Sequence, residues 1–160
     1  MSLPSGRSQL IPGDVTDRRA VHEGMCGCNC VVHLANVYSF WEPDRRVYWE
    51  VNVAGKRNVL EAALDLGVSK VVRISTTLVS GKPRDCLSTE ESQPGTELFS
   101  EHARSKAAGD RLAWELFQTR GLPLVVVYPV GVPGPGNSRV SSRYIRNILE
   151  RRLPALGSRR

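Results

Sequence analysis

Residues able to move protons collect at a few places along this chain. Ser75, Thr76 and Thr77 close the apolar run Val71-Val72-Arg73-Ile74, Asp14-Val15 follows Gln9-Leu10-Ile11, and Asn36 follows Cys30–Ala35. Tyr128-Pro129 ends a fourth apolar run, and Lys106 lies near the start of a long helical stretch. Hydroxyls beside a lysine suit proton handling on a carbonyl or an alcohol, rather than metal-assisted or nucleophilic chemistry. Taken singly, each has a plainer reading, since serine and threonine at strand ends commonly make turns or caps.

The cysteines offer less. Cys26, Cys28 and Cys30 alternate along the chain, and Cys86 stands apart. Zinc sites usually pair ligands across two or more intervening residues, so no metal is expected. Small buried or half-buried thiols in a reducing cytoplasm are the expectation, without a disulfide framework.

The elements that must position these groups alternate between short β-rich runs and long helical ones. Gln9–Ile11 reads as a short strand stopped by Pro12-Gly13, and Thr16 or Asp14 as the cap of a helix from Asp17 to about Met25. Cys30–Ala35 is a second strand. A helix from about Arg46 to Leu66 follows, with Val51, Gly55, Val59, Ala62 and Leu66 at helical spacing and Gly67 as its stop. Lys70–Ser75 is a strand, the polar loop Gly81–Gly95 comes next, and Leu98 to Arg120 is a helix closed by Gly121. Leu122–Tyr128 shows no alternation, as a strand covered on both faces would. After a turn from Pro129 to Asn137, a last helix runs over about Ser138 to Arg152. Strands alternating with helices predict a parallel sheet wound with helices, the α/β class.

The 160 residues suffice for one compact domain, and 41% hydrophobic with 24% charged residues is an ordinary globular composition. No apolar run approaches the ~18 residues of a membrane span. The polar start has no apolar segment of signal-peptide type, so a cytoplasmic protein is expected. The net charge of +6 is local: residues 139–160 hold seven arginines and one acid, while the rest sums to zero. Arg139, Arg143 and Arg146 fall on the solvent face of the last helix, residues 153–160 make a basic tail, and no nucleic-acid partner is expected.

Together the motifs carry a specific resemblance. Gly13-Asp14-Val15-Thr16-Asp17, Val32-His33-Leu34-Ala35, Asn52-Val53-Ala54-Gly55 with Asn58–Ala63, Ile74–Thr77, Ser105-Lys106, and Tyr128-Pro129 with Gly134-Pro135-Gly136 occur in one order. They resemble the extended short-chain dehydrogenase/reductase family, from about Leu10 to Leu153. The branch they resemble most is the NAD-dependent epimerase/dehydratase group that includes dihydroflavonol reductases and 3β-hydroxysteroid dehydrogenases.

The resemblance implies an incomplete doubly wound, Rossmann-type parallel sheet with flanking helices, lacking the first βαβ unit. It implies a single partial NAD(P)-binding domain over residues 1–160, truncated at both ends. Asp14 and Val15 would lie against adenine, Leu34 and Ala35 beside the dinucleotide's ribose, and Pro129 at the nicotinamide. Asn52 would anchor its helix on the sheet. Thr76, with Ser75 as a neighbouring candidate, would orient the substrate oxygen. Lys106 would hold the nicotinamide ribose and assist catalysis.

The family has tyrosine four residues before that lysine, where this chain has His102. It also opens with a glycine-rich turn that cradles pyrophosphate, and none precedes Leu10. Gly131–Gly136 imitates such a turn, but its prolines remove donors, so it reads as an ordinary turn. With strand order 3-2-1-4-5-6, Gln9–Ile11 would be strand 3 and Cys30–Ala35 strand 4, the two between them missing. The expectation is an oxidoreductase or epimerase using NAD or NADP on a hydroxyl or carbonyl of a small organic substrate, weak or inactive as this chain. The alternative is a non-catalytic remnant or interaction module, a homo-oligomer or complementing chain pairing along an exposed strand edge.

Overall fold

In the computed structural model, residues 8–81, 89, 95, 97–132, 134 and 140–152 are described. Cys86, most of the 81–95 loop, much of the 131–137 turn and the 153–160 tail lie outside them. The described residues between 9 and 129 pack as one unit, and those from 130 to 152 belong to another.

The first unit is built on three parallel strands, β1 (Cys30–His33), β2 (Lys70–Ile74) and β3 (Leu124–Val127), in the order β1-β2-β3. The register sets Val31 beside Val71 and Val71 beside Leu124, and His33 beside Arg73 and Arg73 beside Val126. Parallel pairing demands helical crossovers, which the intervening helices supply.

α1 (Arg18–Met25) starts at Asp17, whose carboxylate accepts from the Arg19 and Ala20 amides at 2.9 and 3.1 Å. The cap is therefore Asp17. Asp14 instead spends its carboxylate on the Thr16 amide and hydroxyl, both at 2.8 Å, in the turn before the helix. The predicted 46–66 helix is present in three registers: α2 (Arg46–Trp49), a π-helical turn (Glu50–Gly55) and α3 (Lys56–Asp65). Thr77–Ser80 forms a 3-10 turn after β2. α4 (Glu101–Arg120) is capped by the Ser100 hydroxyl and ends at Gly121, whose φ of 69° is the left-handed conformation that closes a helix with little strain in glycine.

Leu60, Ala63, Val68, Val71, Leu112, Ala113, Leu116 and Leu122 form the core between α3, α4 and the sheet. This face of the sheet is covered, whereas Val32, Val125 and Val127 on the other are exposed. β3 thus alternates in burial, contrary to the doubly covered strand expected from its unbroken apolar run. Gln9–Ile11 is not a strand, and Leu10 is 87% exposed. In the inferred order its neighbour would be strand 2, and an extended segment without a ladder partner gains nothing from strand geometry. The thiols of Cys26, Cys28 and Cys30 are exposed rather than buried, because they occupy the turn around Gly27 and the open start of β1.

The π-helical turn brings Gly55 hard against the Asp14-Val15 segment, where a Cβ would meet Val15 Cγ2 at 2.8 Å. Gly55→Ala is expected to cost about 1–3 kcal/mol, the usual penalty of overpacking, read as a lower midpoint in urea unfolding.

In the second unit, α5 (Val140–Leu149) is amphipathic by spacing, with Arg143 and Arg146 on one side and Tyr144, Ile145 and Ile148 on the other. Those apolar side chains are exposed. No helix among the described residues is long and apolar enough to cross a membrane.

Candidate functional site

Two neighbouring places hold the residues singled out by sequence. The first is an open groove of about 290 Å³ beside β1. It gathers Asp14, Val15, Leu34 and Ala35, with Ile11 and Val32 on its walls. Val15 is fixed there by the Asn58 side-chain amide, which donates to the Val15 and Thr16 carbonyls at 2.9 and 3.1 Å. Asn58 was legible only as part of a motif, and its role is to hold this segment onto α3.

The second place is the carboxyl end of β2. Lys106, on α4, is 3% exposed, and its Nζ donates to the Ile74 carbonyl at 2.8 Å. Burial, with the Arg73 guanidinium adding repulsion, lowers its pKa to about 8. Thr76 follows two residues later, half-buried, its Oγ1 accepting from the Leu78 amide at 3.3 Å. That leaves its own hydroxyl proton free to be donated. Ser75 is unsuited to serve a substrate oxygen, because its one hydroxyl proton is donated to Asp110 Oδ2 at 2.7 Å. Pro129 is half-buried at the end of β3, aligned with β2 by the Ser75 amide on the Val127 carbonyl at 2.8 Å. Neither Lys106 nor Pro129 lines the groove beside β1.

His102 lies one helical turn before Lys106 and is 1% exposed. Its Nδ1 is 2.9 Å from the Val37 carbonyl, and a carbonyl only accepts, so Nδ1 carries the proton. Nε2 is then an acceptor, buried without a hydrogen-bond partner. Tyr38 stands edge-on to the ring, with centroids 5.3 Å apart. Burial lowers the His102 pKa, the Val37 hydrogen bond acts against it, and Lys106 and Lys56 push it further down. At neutral pH His102 is therefore a neutral base rather than a proton donor.

Asn52 behaves as the expected anchor. Its side chain accepts from the Val37 amide at 2.8 Å and donates to Ser105 Oγ at 2.9 Å, tying the segment after β1 to α4.

Beneath these groups lies a buried cationic cluster that sequence reading missed. Arg73 is 0% exposed and paired with Asp110. Lys56 is 1% exposed, and its Nζ has no hydrogen-bond partner among the described residues. Burial, aided by Arg73 and Lys106, lowers its pKa to about 5. His33 is lowered to about 3 by burial and by the Lys56, Arg73 and Lys106 charges. The sequence did hold signals: Arg73 interrupts an apolar strand, and Lys56 shares a helical stripe with Asn52, Val59 and Leu60.

Comparison with known proteins decides what the arrangement belongs to. Residues 2–159 match the model of the NAD dependent epimerase/dehydratase family. The chain belongs to that family. It is 30% identical over 149 residues to a putative dihydroflavonol 4-reductase of Synechocystis sp., a match covering 91% of this chain and 43% of the relative. It is similar to a dTDP-glucose 4,6-dehydratase from Streptomyces venezuelae solved with NAD, with a TM-score of 0.72, 27% identity, and coverage of 92% of this chain and 46% of that one. A UDP-glucuronic acid 4-epimerase from Bacillus cereus, also in complex with NAD, gives a TM-score of 0.77 and 25% identity, covering 91% and 47%. The chain thus spans less than half the length of these relatives. These two structures, and a UDP-glucose 4-epimerase of Thermus thermophilus that also matches, are epimerases and dehydratases, and the chain is part of a Rossmann-type sheet with its flanking helices.

Among the described residues no cluster of three or more histidine, cysteine, aspartate or glutamate side chains is placed to hold a metal ion. The β1 groove offers small and apolar contacts, and Lys106 offers an ammonium at the strand end. The phosphate-bearing middle of a nicotinamide dinucleotide finds no helix N-terminus at α1, where the Asp17 carboxylate already caps the amides.

Proposed function

We propose that the chain is an NAD(H)- or NADP(H)-dependent oxidoreductase or epimerase-type protein acting on a hydroxyl or carbonyl carbon of a small organic molecule, and that its turnover is weak. The observation carrying this reading is the Lys106 ammonium held on the Ile74 carbonyl, two residues from Thr76, at the carboxyl end of a parallel strand. That is where ligands of open α/β sheets gather. Family membership and the NAD-bound neighbours support it.

When bound, the nicotinamide supplies the hydride chemistry. The chain's own part is to bind and orient. Asp14 and Val15 meet the adenine end, Leu34 and Ala35 the ribose beside it, and Pro129 the nicotinamide end. Lys106 donates to the nicotinamide ribose hydroxyls, and Thr76 donates its free hydroxyl proton to the substrate oxygen. His102 is the group left for proton transfer. With Nδ1 committed to Val37 and Nε2 buried, it reaches a substrate poorly, which accounts for the weak turnover.

The test is oxidation of a panel of secondary alcohols with NAD or NADP. Native turnover is expected to be slow, and His102→Tyr, which sets a phenol one turn from Lys106, is expected to raise it by about tenfold or more. Fast native turnover that His102→Ala abolishes would contradict the weak-turnover reading.

A second reading rests on β1. Among the described residues β1 pairs only with β2, and Val32 and Leu34 beside its open edge are 57% and 62% exposed. A second copy or a complementing chain would add a strand there. A strict monomer by size-exclusion chromatography, with cofactor binding intact, dismisses that reading.

A further inference from the structure

Three consecutive residues of β2 and its end engage one turn of α4. The Arg73 guanidinium pairs through Nη1 with Asp110 and donates through Nη2 to the Lys106 carbonyl at 3.4 Å. The Ile74 carbonyl accepts from Lys106 Nζ at 2.8 Å. The Ser75 hydroxyl donates to the other Asp110 oxygen at 2.7 Å. Asp110 is thus held at both oxygens by β2, and Lys106 at both its backbone and its ammonium. Arg73, Ser75, Lys106 and Asp110 are all buried.

Packing does not require this arrangement. A buried ion pair is commonly no more stabilising than apolar side chains of the same size, so its geometry invites a reason beyond core filling. The geometry supplies one. The pair fixes the α4 turn from Lys106 to Asp110 against the strand end, and with it the place where the ammonium sits. We propose that Arg73 and Asp110, with Ser75, are positioning residues for Lys106, locking the 106–110 turn onto β2 so that Nζ stays seated on the Ile74 carbonyl. The proposal rests on the reading of Lys106 as the group that meets the nicotinamide ribose, but the clamp can be measured without any cofactor.

The charged groups around Lys106 come from several elements. Arg73 on β2 acts on it directly, and Asp110 on α4 is the ion-pair partner of Arg73. Lys56 on α3, His102 on α4 and His33 on β1 feel the Lys106 charge in turn, and Tyr128 beyond β3 acts on Arg73. Arg73→Met with Asp110→Leu replaces the pair by apolar side chains of similar length and leaves no unpaired charge, so the fold is expected to persist.

The experiment is NMR of the chain with 13C-labelled lysine ε-carbons, whose four lysines give four signals, the Lys106 signal assigned through Lys106→Met. In the native chain Lys106 is expected to show two distinct ε-protons and a titration midpoint near 8. In the double variant the ε-protons should merge as the ammonium leaves its buried seat for water. The midpoint should rise by about one pH unit or more, part of it from loss of the Arg73 charge, so the merging of the ε-protons decides. A folded double variant whose Lys106 ε-protons stay distinct overturns the proposal. Should the double variant not fold, Ser75→Ala decides the question, since it removes only a hydroxyl. A rise of about half a unit supports the clamp, and an unmoved midpoint overturns it. If the clamp is confirmed while NADH fails to bind, the functional reading falls and the positioning does not.

Discussion

Raising the pH from about 6 to about 9 is expected to stabilise the folded chain by on the order of 5 kcal/mol, where most proteins would show a plateau. The sign follows from the buried bases. Lys56 titrates at about 5 when folded and at its ordinary 10.5 when unfolded. Between those values the unfolded chain carries one more proton, so stability rises with pH across that window and falls as the solution is acidified. Lys106, lowered from 10.5 to about 8, adds to the slope above pH 8. His33, lowered from 6.5 to about 3, adds to it between those two values. Each proton of difference is worth about 1.4 kcal/mol per pH unit, and Lys56 contributes across the whole range. Urea unfolding midpoints at three pH values read this directly. Lys56→Met removes the largest share of the slope and stabilises the chain at neutral pH, because it deletes an amine buried without a partner. A native stability that is flat or falls from pH 6 to pH 9 contradicts this account of the cluster.

Asp110→Asn is expected to lower stability by about 3–5 kcal/mol, the cost of leaving a buried charge uncompensated. Arg73 is fully buried, and Asp110 is its ion-pair partner. Amide for carboxylate keeps the shape and removes the charge, so the loss measures electrostatics rather than a cavity. The apolar double variant, losing both charges together, should stay within about 1 kcal/mol of the native chain. Chemical unfolding of the two variants side by side checks the contrast. An Asp110→Asn chain as stable as the native one would mean that Arg73 finds its compensation elsewhere.

The architecture was legible because its signals were redundant. The three paired strands are apolar runs bounded by glycine or polar turns, and Gly121 marks the end of α4. The expected start of that helix at Leu98 was three residues early, because the Ser100 hydroxyl is its cap. The π-helical turn inside the 46–66 helix was not legible, since a change of register leaves the apolar spacing nearly intact. Asp17 was hidden as a cap among Asp14 and Thr16, three residues of equal capping ability within four positions. The expected strand at Gln9–Ile11 failed for a different reason: local propensity proposes a strand, but only a ladder partner makes one.

In the site, Asp14, Val15, Leu34 and Ala35 do converge on one groove, and Thr76 and Lys106 share one strand end. Ser75 and Thr76 could not be told apart by sequence, and burial against Asp110 separates them. Lys56 and Arg73 were passed over because long cationic side chains usually carry their charge to water. Here Gly109 lets Lys56 through: a Cβ at that glycine would lie 2.8 Å from the Asn52 carbonyl oxygen and 2.9 Å from Lys56 Cε. The pattern was visible only once α3 and α4 were seen packed together.

Everything functional here turns on whether the strand ends around Lys106 receive a nicotinamide ribose. Addition of reduced nicotinamide mononucleotide, with backbone amide NMR shifts mapped, asks that question without needing turnover or a pyrophosphate cradle. The expected result is saturable shifts centred on Thr76, Lys106 and the amides flanking Pro129, lost in Lys106→Met while that variant's melting curve stays that of a folded protein. Shifts confined to other surfaces, or undiminished in Lys106→Met, would contradict the account.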